Sequence, residues 1–244
     1  MDKFRTIDEG TEEIFRFALA AAGDQHRRYP EFTFQQCLAE RTMLFSFLHM
    51  CSDKTNPFRI RLLEAASQVE KPEDMECFLP EVQQYAKEHF ASMTAVPPEF
   101  PNGSSVRAVA HPSNAGWCYL HFFNAKRPRS FLDPDSGFAG ELLKILDFAE
   151  KELKADTVFT ASWLNSNPRF LHFFPEEWLA NMAPPPSPKT IIPTNGCQGQ
   201  FFNSAGWLNR KTADFYLENG VLKYLRRESH CSLENMRTHL EKMV

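Results

Sequence analysis

The segment TAVPPEFPNGSS, Thr94 to Ser105, divides this chain in two. Its three prolines remove amide donors, and its glycine frees the backbone, so neither a helix nor a strand ladder runs through it. Before the break, apolar residues recur every three or four positions. After it, short apolar runs of β preference alternate with helical ones. The predicted fold class is therefore α/β (α+β), with a helical N-terminal region over 1–93 and a linker and first strand over 94–116. A mixed sheet flanked by helices fills 117–244.

In the helical region, Thr11 followed by Glu12 and Glu13 predicts a first turn whose carboxylates favour the positive end of the helix dipole. Ile14, Phe15, Ala18, Leu19 and Ala22 follow at helical spacing. Thr33-x-x-Gln36 has the capping-box form and opens a helix that carries Cys37, Leu38, Met43, Leu44, Phe47 and Leu48. Asn56-Pro57 places a cap before proline at the first helical position, and a last helix is expected from Glu81 to Met93.

Past the break, strands are expected at Val106–Ala110 and at Trp117–Phe123, with Asn124–Pro128 turning a hairpin into Ser130–Leu132. Leu142, Ile145, Leu146 and Ala149 mark the buried stripe of a helix over Phe138–Leu153. DTVFTASWL, Asp156 to Leu164, reads as a buried strand, and Asn167-Pro168 starts another helix. GQFFNSAGWL, Gly199 to Leu208, is expected as a final strand. Asn209 and Gly220 bound the next helix, and Ser232 caps a terminal one.

A formal charge of −4 disfavours a general nucleic-acid binder. The short basic clusters Lys126-Arg127-Pro128-Arg129 and Arg226-Arg227 are suited at most to a single anion. No apolar run reaches 18 residues, and the acidic start lacks an apolar stretch. Neither a membrane partner nor a signal peptide is expected, and a cytoplasmic location with reduced thiols follows. The six cysteines contain no C-x-x-C pair, and the eight histidines show no H-x-H or H-E-x-x-H spacing, so no metal site is predicted.

The chemistry-bearing stretches are DPDSGFAGE, Asp133 to Glu141, and the crowded TASWLNSNPRFLHFFPEEW, Thr160 to Trp178. Gly137 and Gly140 open a helix N-terminus, where free amides attract phosphate, and Arg127 and Arg129 stand just upstream. In the second stretch, Asn165, Ser166 and Asn167 form a polar exit where open α/β sheets place ligands, outside the carboxyl ends of strands. Strand alternation separates Cys118 from His121, and no G-x-S-x-G surrounds Ser162, so a Ser- or Cys-dependent hydrolase ranks last.

From Trp117 onward, YLHFF, the helix 138–153, TVFTASWL, FFP and NGCQGQFF together resemble the C-terminal half of a GNAT-type N-acyltransferase with a helical N-terminal domain. The resemblance implies an acyl-CoA-dependent acyltransferase acting on an amine or hydroxyl of a small molecule. It places a coenzyme A thioester between splayed central strands, with strand amides polarising its carbonyl. Gly137 and Ala139 match the last two places of the family's R/Q-x-x-G-x-G/A loop, with Arg127 or Arg129 as pyrophosphate partners, while Pro134 replaces the loop's Arg or Gln. Ser162, Asn165 and His172 would line the acceptor side, with His172 as general base. The alternative is a non-catalytic binding or assembly protein on the same fold, with Trp163, Phe174 and Trp178 as its interface.

Overall fold

The computed structural model describes residues 6–69, 71–94, 103–187 and 189–244. In chain order its elements are helices α1 (Ile7–Arg28), α2 (Phe34–Glu40), α3 (Leu44–Phe47), α4 (Pro57–Ala66) and α5 (Leu79–Thr94). Strands β1 (Val106–Ala110) and β2 (Trp117–Phe122), helix α6 (Phe138–Lys151) and strand β3 (Thr157–Ser162) follow. Helices α7 (Pro168–Leu171), α8 (Glu176–Ala180), α9 (Asn195–Gln198) and α10 (Arg210–Asn219), strand β4 (Arg227–Ser232) and helix α11 (Leu233–Leu240) complete the chain. Most of the proline-rich break, 95–102, lies outside the described residues. No described helix is long and apolar enough to cross a membrane.

The chain forms two compact units, one of residues 1–95 with Ser187–Lys223 and one of residues 96–186 with Tyr224–Val244. Residues 187–223, expected by sequence in the α/β part, belong instead with the helices. The reason lies in buried polar contacts. Gln25 Nε2 donates to the Gly220 carbonyl (2.9 Å), Tyr216 Oη donates to the Arg41 carbonyl (2.8 Å), and Ser46 Oγ donates to Gln198 Oε1 (2.6 Å). The strand expected at Gly199–Leu208 is a short 3-10 turn with one bridge between Phe202 and Leu208. Asn203 Oδ1 accepts from the Ala205 and Trp207 amides, which folds this segment back on itself.

Within the helical unit, α1 begins before the acidic pair that suggested its start. Thr6 and Glu9 form a reciprocal capping box, and Thr11 is fully buried inside the helix. The box at Thr33 and Gln36 forms as expected. The single helix predicted through Leu48 is broken at Arg41, where Thr42 Oγ1 donates back to the Leu38 carbonyl at 2.8 Å.

The α/β unit is built on a sheet of order β1-β2-β3-β4. Its outer pairs are antiparallel, and its central pair is parallel through the α6 crossover. Alternation sends Val106, Ala108, Cys118, Leu120, Val158 and Cys231 to one face. There they pack on Leu142, Ile145 and Leu146 of α6 and on Met236 and Leu240 of α11. Two expectations change here. Ser130–Leu132 is not a strand: Phe131 and Leu132 turn inward and join this core. The fourth strand is RESHCS, Arg227 to Ser232, which reads as polar because only Ser229 and Cys231 are buried.

Glu177 fastens α11 to the sheet. Its carboxylate accepts from the Ser232 amide (3.1 Å), Ser232 Oγ (3.0 Å) and Asn235 Nδ2 (2.6 Å), satisfying donors at the start of that helix. Burial pushes its pKa up, but the hydrogen bonds from Asn235 and Ser232 outweigh that and hold it below the usual glutamate value. A depressed folded-state pKa means stability that is present above the unfolded value and lost as pH falls through the folded one. The urea midpoint of wild type should therefore exceed that of Glu177→Gln at neutral pH. The gap should close as pH falls below the usual glutamate range toward the lower folded-state value; a gap constant with pH would refute this role.

Candidate functional site

The parallel pair carries the distinctive feature. β2 and β3 pair at Trp117–Thr157, Cys118–Val158 and Tyr119–Phe159, and the ladder ends there. The outer flanks continue: Leu120 and Phe122 remain paired with β1, and Ala161 and Ser162 with β4. The sheet therefore forks at the carboxyl ends of its two central strands, and ligands of open α/β sheets sit at such ends.

The connection from β2 to α6 forms one rim. Asn124 organises it, accepting on Oδ1 from the Lys126 and Phe131 amides (both 3.2 Å) and donating to the Arg129 carbonyl (2.8 Å). Arg127 is half-buried, with its guanidinium 5.1 Å from the Phe123 ring centroid and its Nε enclosed without a hydrogen-bond partner among the described residues. Burial draws its pKa down. Arg129 is instead exposed and ion-paired with Asp135, so its charge is already answered. Gly137, at φ +74°, is the N-cap of α6 in the left-handed region that favours glycine. Among the described residues a Cβ at Gly137 or Gly140 would meet nothing within 4 Å, so no described group crowds this helix start. Ala139 turns the other way, into the core.

The opposite rim is the crowded stretch after β3, and its polar groups are spent internally. Ser162 Oγ accepts from the Leu164 amide (3.2 Å), capping a 3-10 turn over Trp163–Ser166. Asn165 is fully buried. Its Nδ2 donates to the carbonyls of Thr160 (3.1 Å) and Arg227 (2.8 Å), and its Oδ1 accepts from Trp178 Nε1 (3.2 Å). Ser166 donates to the Leu225 carbonyl, and Asn167 Oδ1 caps α7. His172 is exposed just after α7, and its carbonyl hydrogen-bonds the His239 ring. The structure therefore gathers Arg127, Arg129 and Gly137 on one connection. It does not join Ser162, Asn165 and His172 into one constellation among the described residues.

Two side chains at the fork escaped the sequence reading. Thr160 Oγ1 donates across it to the Leu120 carbonyl (2.8 Å), and Tyr119 Oη donates to the Ala161 carbonyl (3.2 Å). A threonine and a tyrosine are ordinary strand residues, so only the end of the ladder distinguishes them. Cys118 is buried on the core face, and burial pushes its thiol up to about 12, leaving essentially no thiolate at neutral pH. His121 stacks on Tyr119 (4.4 Å between centroids) on the other face. Among the described residues no group of three His, Cys, Asp or Glu side chains could hold a metal ion. No family model, curated protein or solved structure matches the chain.

Proposed function

We propose that this chain is an acyl-CoA-dependent acyltransferase acting on an amine or hydroxyl of a small molecule. In this reading the thioester arm enters the fork between β2 and β3, and the pyrophosphate meets the start of α6. The observation that carries it is the fork itself: a parallel pair that stops pairing after Tyr119–Phe159, joined by a crossover helix that no described group crowds at Gly137 and Gly140. The half-buried Arg127 adds a cation on the same connection. Strand amides beyond the ladder would polarise the thioester carbonyl.

Coenzyme A should raise the melting temperature by roughly 5–10 °C if it is bound at about a hundred times its Kd, which adds about 2.7 kcal/mol. Gly140→Asp sets a carboxylate beside the helix start without the backbone strain expected of a substitution at Gly137, and it should abolish the shift. An absent shift with millimolar coenzyme A would overturn this reading.

A non-catalytic binding protein on the same frame is the second reading. It is favoured by the internal commitment of Ser162 and Asn165. The interface first expected for it shrinks, because Phe174 and Trp178 are buried and Trp163 stacks on Tyr224 at 5.9 Å. Release of free thiol from a panel of acyl-CoA thioesters and amines separates the two: binding without release supports the second.

A further inference from the structure

We infer that Thr160 and Tyr119 are positioning residues that hold the fork at a fixed aperture. The inference rests on the reading of the fork as the thioester site. Where two strands part, their inner carbonyls lose ladder donors, and a buried carbonyl without a donor is costly. Leu120 is fully buried, and Thr160 is 1% exposed. At this depth the Thr160 hydroxyl supplies the missing donor to the Leu120 carbonyl, at 2.8 Å.

One residue further along β3, the Tyr119 hydroxyl supplies another, reaching from β2 to the Ala161 carbonyl. Alternation puts Thr160 on the core face with Val158, and Tyr119 on the opposite face, so the fork is tied once on each side. The Tyr119 ring is itself fixed, stacked on His121 and edge-on to Phe159 at 5.1 Å.

Behind the tie, Asn165 occupies the Thr160 carbonyl and joins it to the first residue of β4. An antiparallel ladder holds each half of the sheet, β1 with β2 and β3 with β4, and the two side-chain bonds set the gap between the halves. A hydroxyl can exchange its acceptor for a ligand group without disturbing either outer ladder. A backbone ladder bond at the same place would close the fork.

Hydrogen–deuterium exchange on the full chain tests this through peptides spanning Cys118–Asn124 and Val158–Ser166. Thr160→Val keeps the side chain's shape and removes its donor, and it should speed exchange in those peptides about tenfold, the effect of one hydrogen bond on local opening. Thr160→Ser restores the hydroxyl and should return exchange to the wild-type rate. Tyr119→Phe should act in the same peptides. A Thr160→Val effect that Ser does not rescue, or one spread equally over α6, would overturn the inference by reducing it to general destabilisation.

Adding coenzyme A to each protein separates the two ideas. If the Val and Ser variants differ as stated but coenzyme A slows exchange nowhere, the ties stand and the thioester reading falls. If coenzyme A protects these peptides equally in wild type and Thr160→Val, the ties do not position the site.

Discussion

Replacing Asn165 with alanine should destabilise the α/β unit by roughly 3–5 kcal/mol, because the change strands several buried groups at once. The Asn165 amide serves the Thr160 carbonyl, the Arg227 carbonyl and the Trp178 indole from a fully buried position. No smaller side chain reaches all three. Asn165→Asp should be at least as damaging at neutral pH, since it turns a carboxylate oxygen toward two carbonyls that need a donor.

Urea denaturation followed by tryptophan fluorescence reads both variants, since Trp178 is one of the partners. The result also decides between roles. A residue lining an acceptor pocket would lose activity with stability nearly intact, whereas a structural bolt loses stability first. A cost below about 1 kcal/mol for Asn165→Ala would refute the structural role.

How legible this was from the sequence differs by element. The strands starting at Val106 and at Trp117, the helix at Phe138 and the caps at Thr33, Asn56, Asn167 and Ser232 follow from short apolar runs, helical period and capping chemistry. All are present, because each signal is local. β4 was hidden because an edge strand with one buried face needs few apolar residues, and Ser229 and Cys231 suffice. The return of 187–223 to the helical unit was hidden for a different reason. It depends on Gln25, Tyr216 and Gln198 meeting partners about 150 to 195 residues away, a separation that no local pattern encodes.

The candidate site divides along the same line. Gly137 and Arg127 were legible because a helix start and a nearby cation are sequence-local. Thr160 and Tyr119 were not, since their importance comes from where a parallel ladder ends. The crowding of Thr160–Trp178 misled in an instructive way. Its asparagines and serines have the composition of a ligand-binding wall, yet each ends on a carbonyl or amide of the protein's own backbone. Short polar side chains at a strand-to-helix crossing are needed there to satisfy main-chain groups that neither element can pair.

The same principle governs the helical unit, where Arg41 supplies the second large effect. Arg41 is only 4% exposed, with its guanidinium 4.8 Å from the Tyr29 ring centroid and 5.0 Å from that of Phe32. Nε donates to Gln25 Oε1 (2.7 Å) and Nη1 to the Lys189 carbonyl (2.8 Å), while Nη2 is enclosed without a partner among the described residues. Among the described residues no carboxylate forms an ion pair with it. A cation so placed carries a desolvation penalty of several kcal/mol, which its two hydrogen bonds and the flanking rings only partly offset.

Arg41→Ala should therefore cost about 3–5 kcal/mol, from the void between the rings and from two stranded acceptors. Arg41→Met refills the void with an uncharged chain and removes the desolvation penalty, so it should be less destabilising than alanine by roughly 1–2 kcal/mol despite losing the same donors. Lysine would keep the charge but not the planar fork that stacks and donates at once, and it should fall nearer to alanine. Amide exchange in α1 and α2 ranks the three variants within this unit. Equal losses for alanine and methionine would mean that the bonds to Gln25 and Lys189, not the packing between Tyr29 and Phe32, hold these helices together.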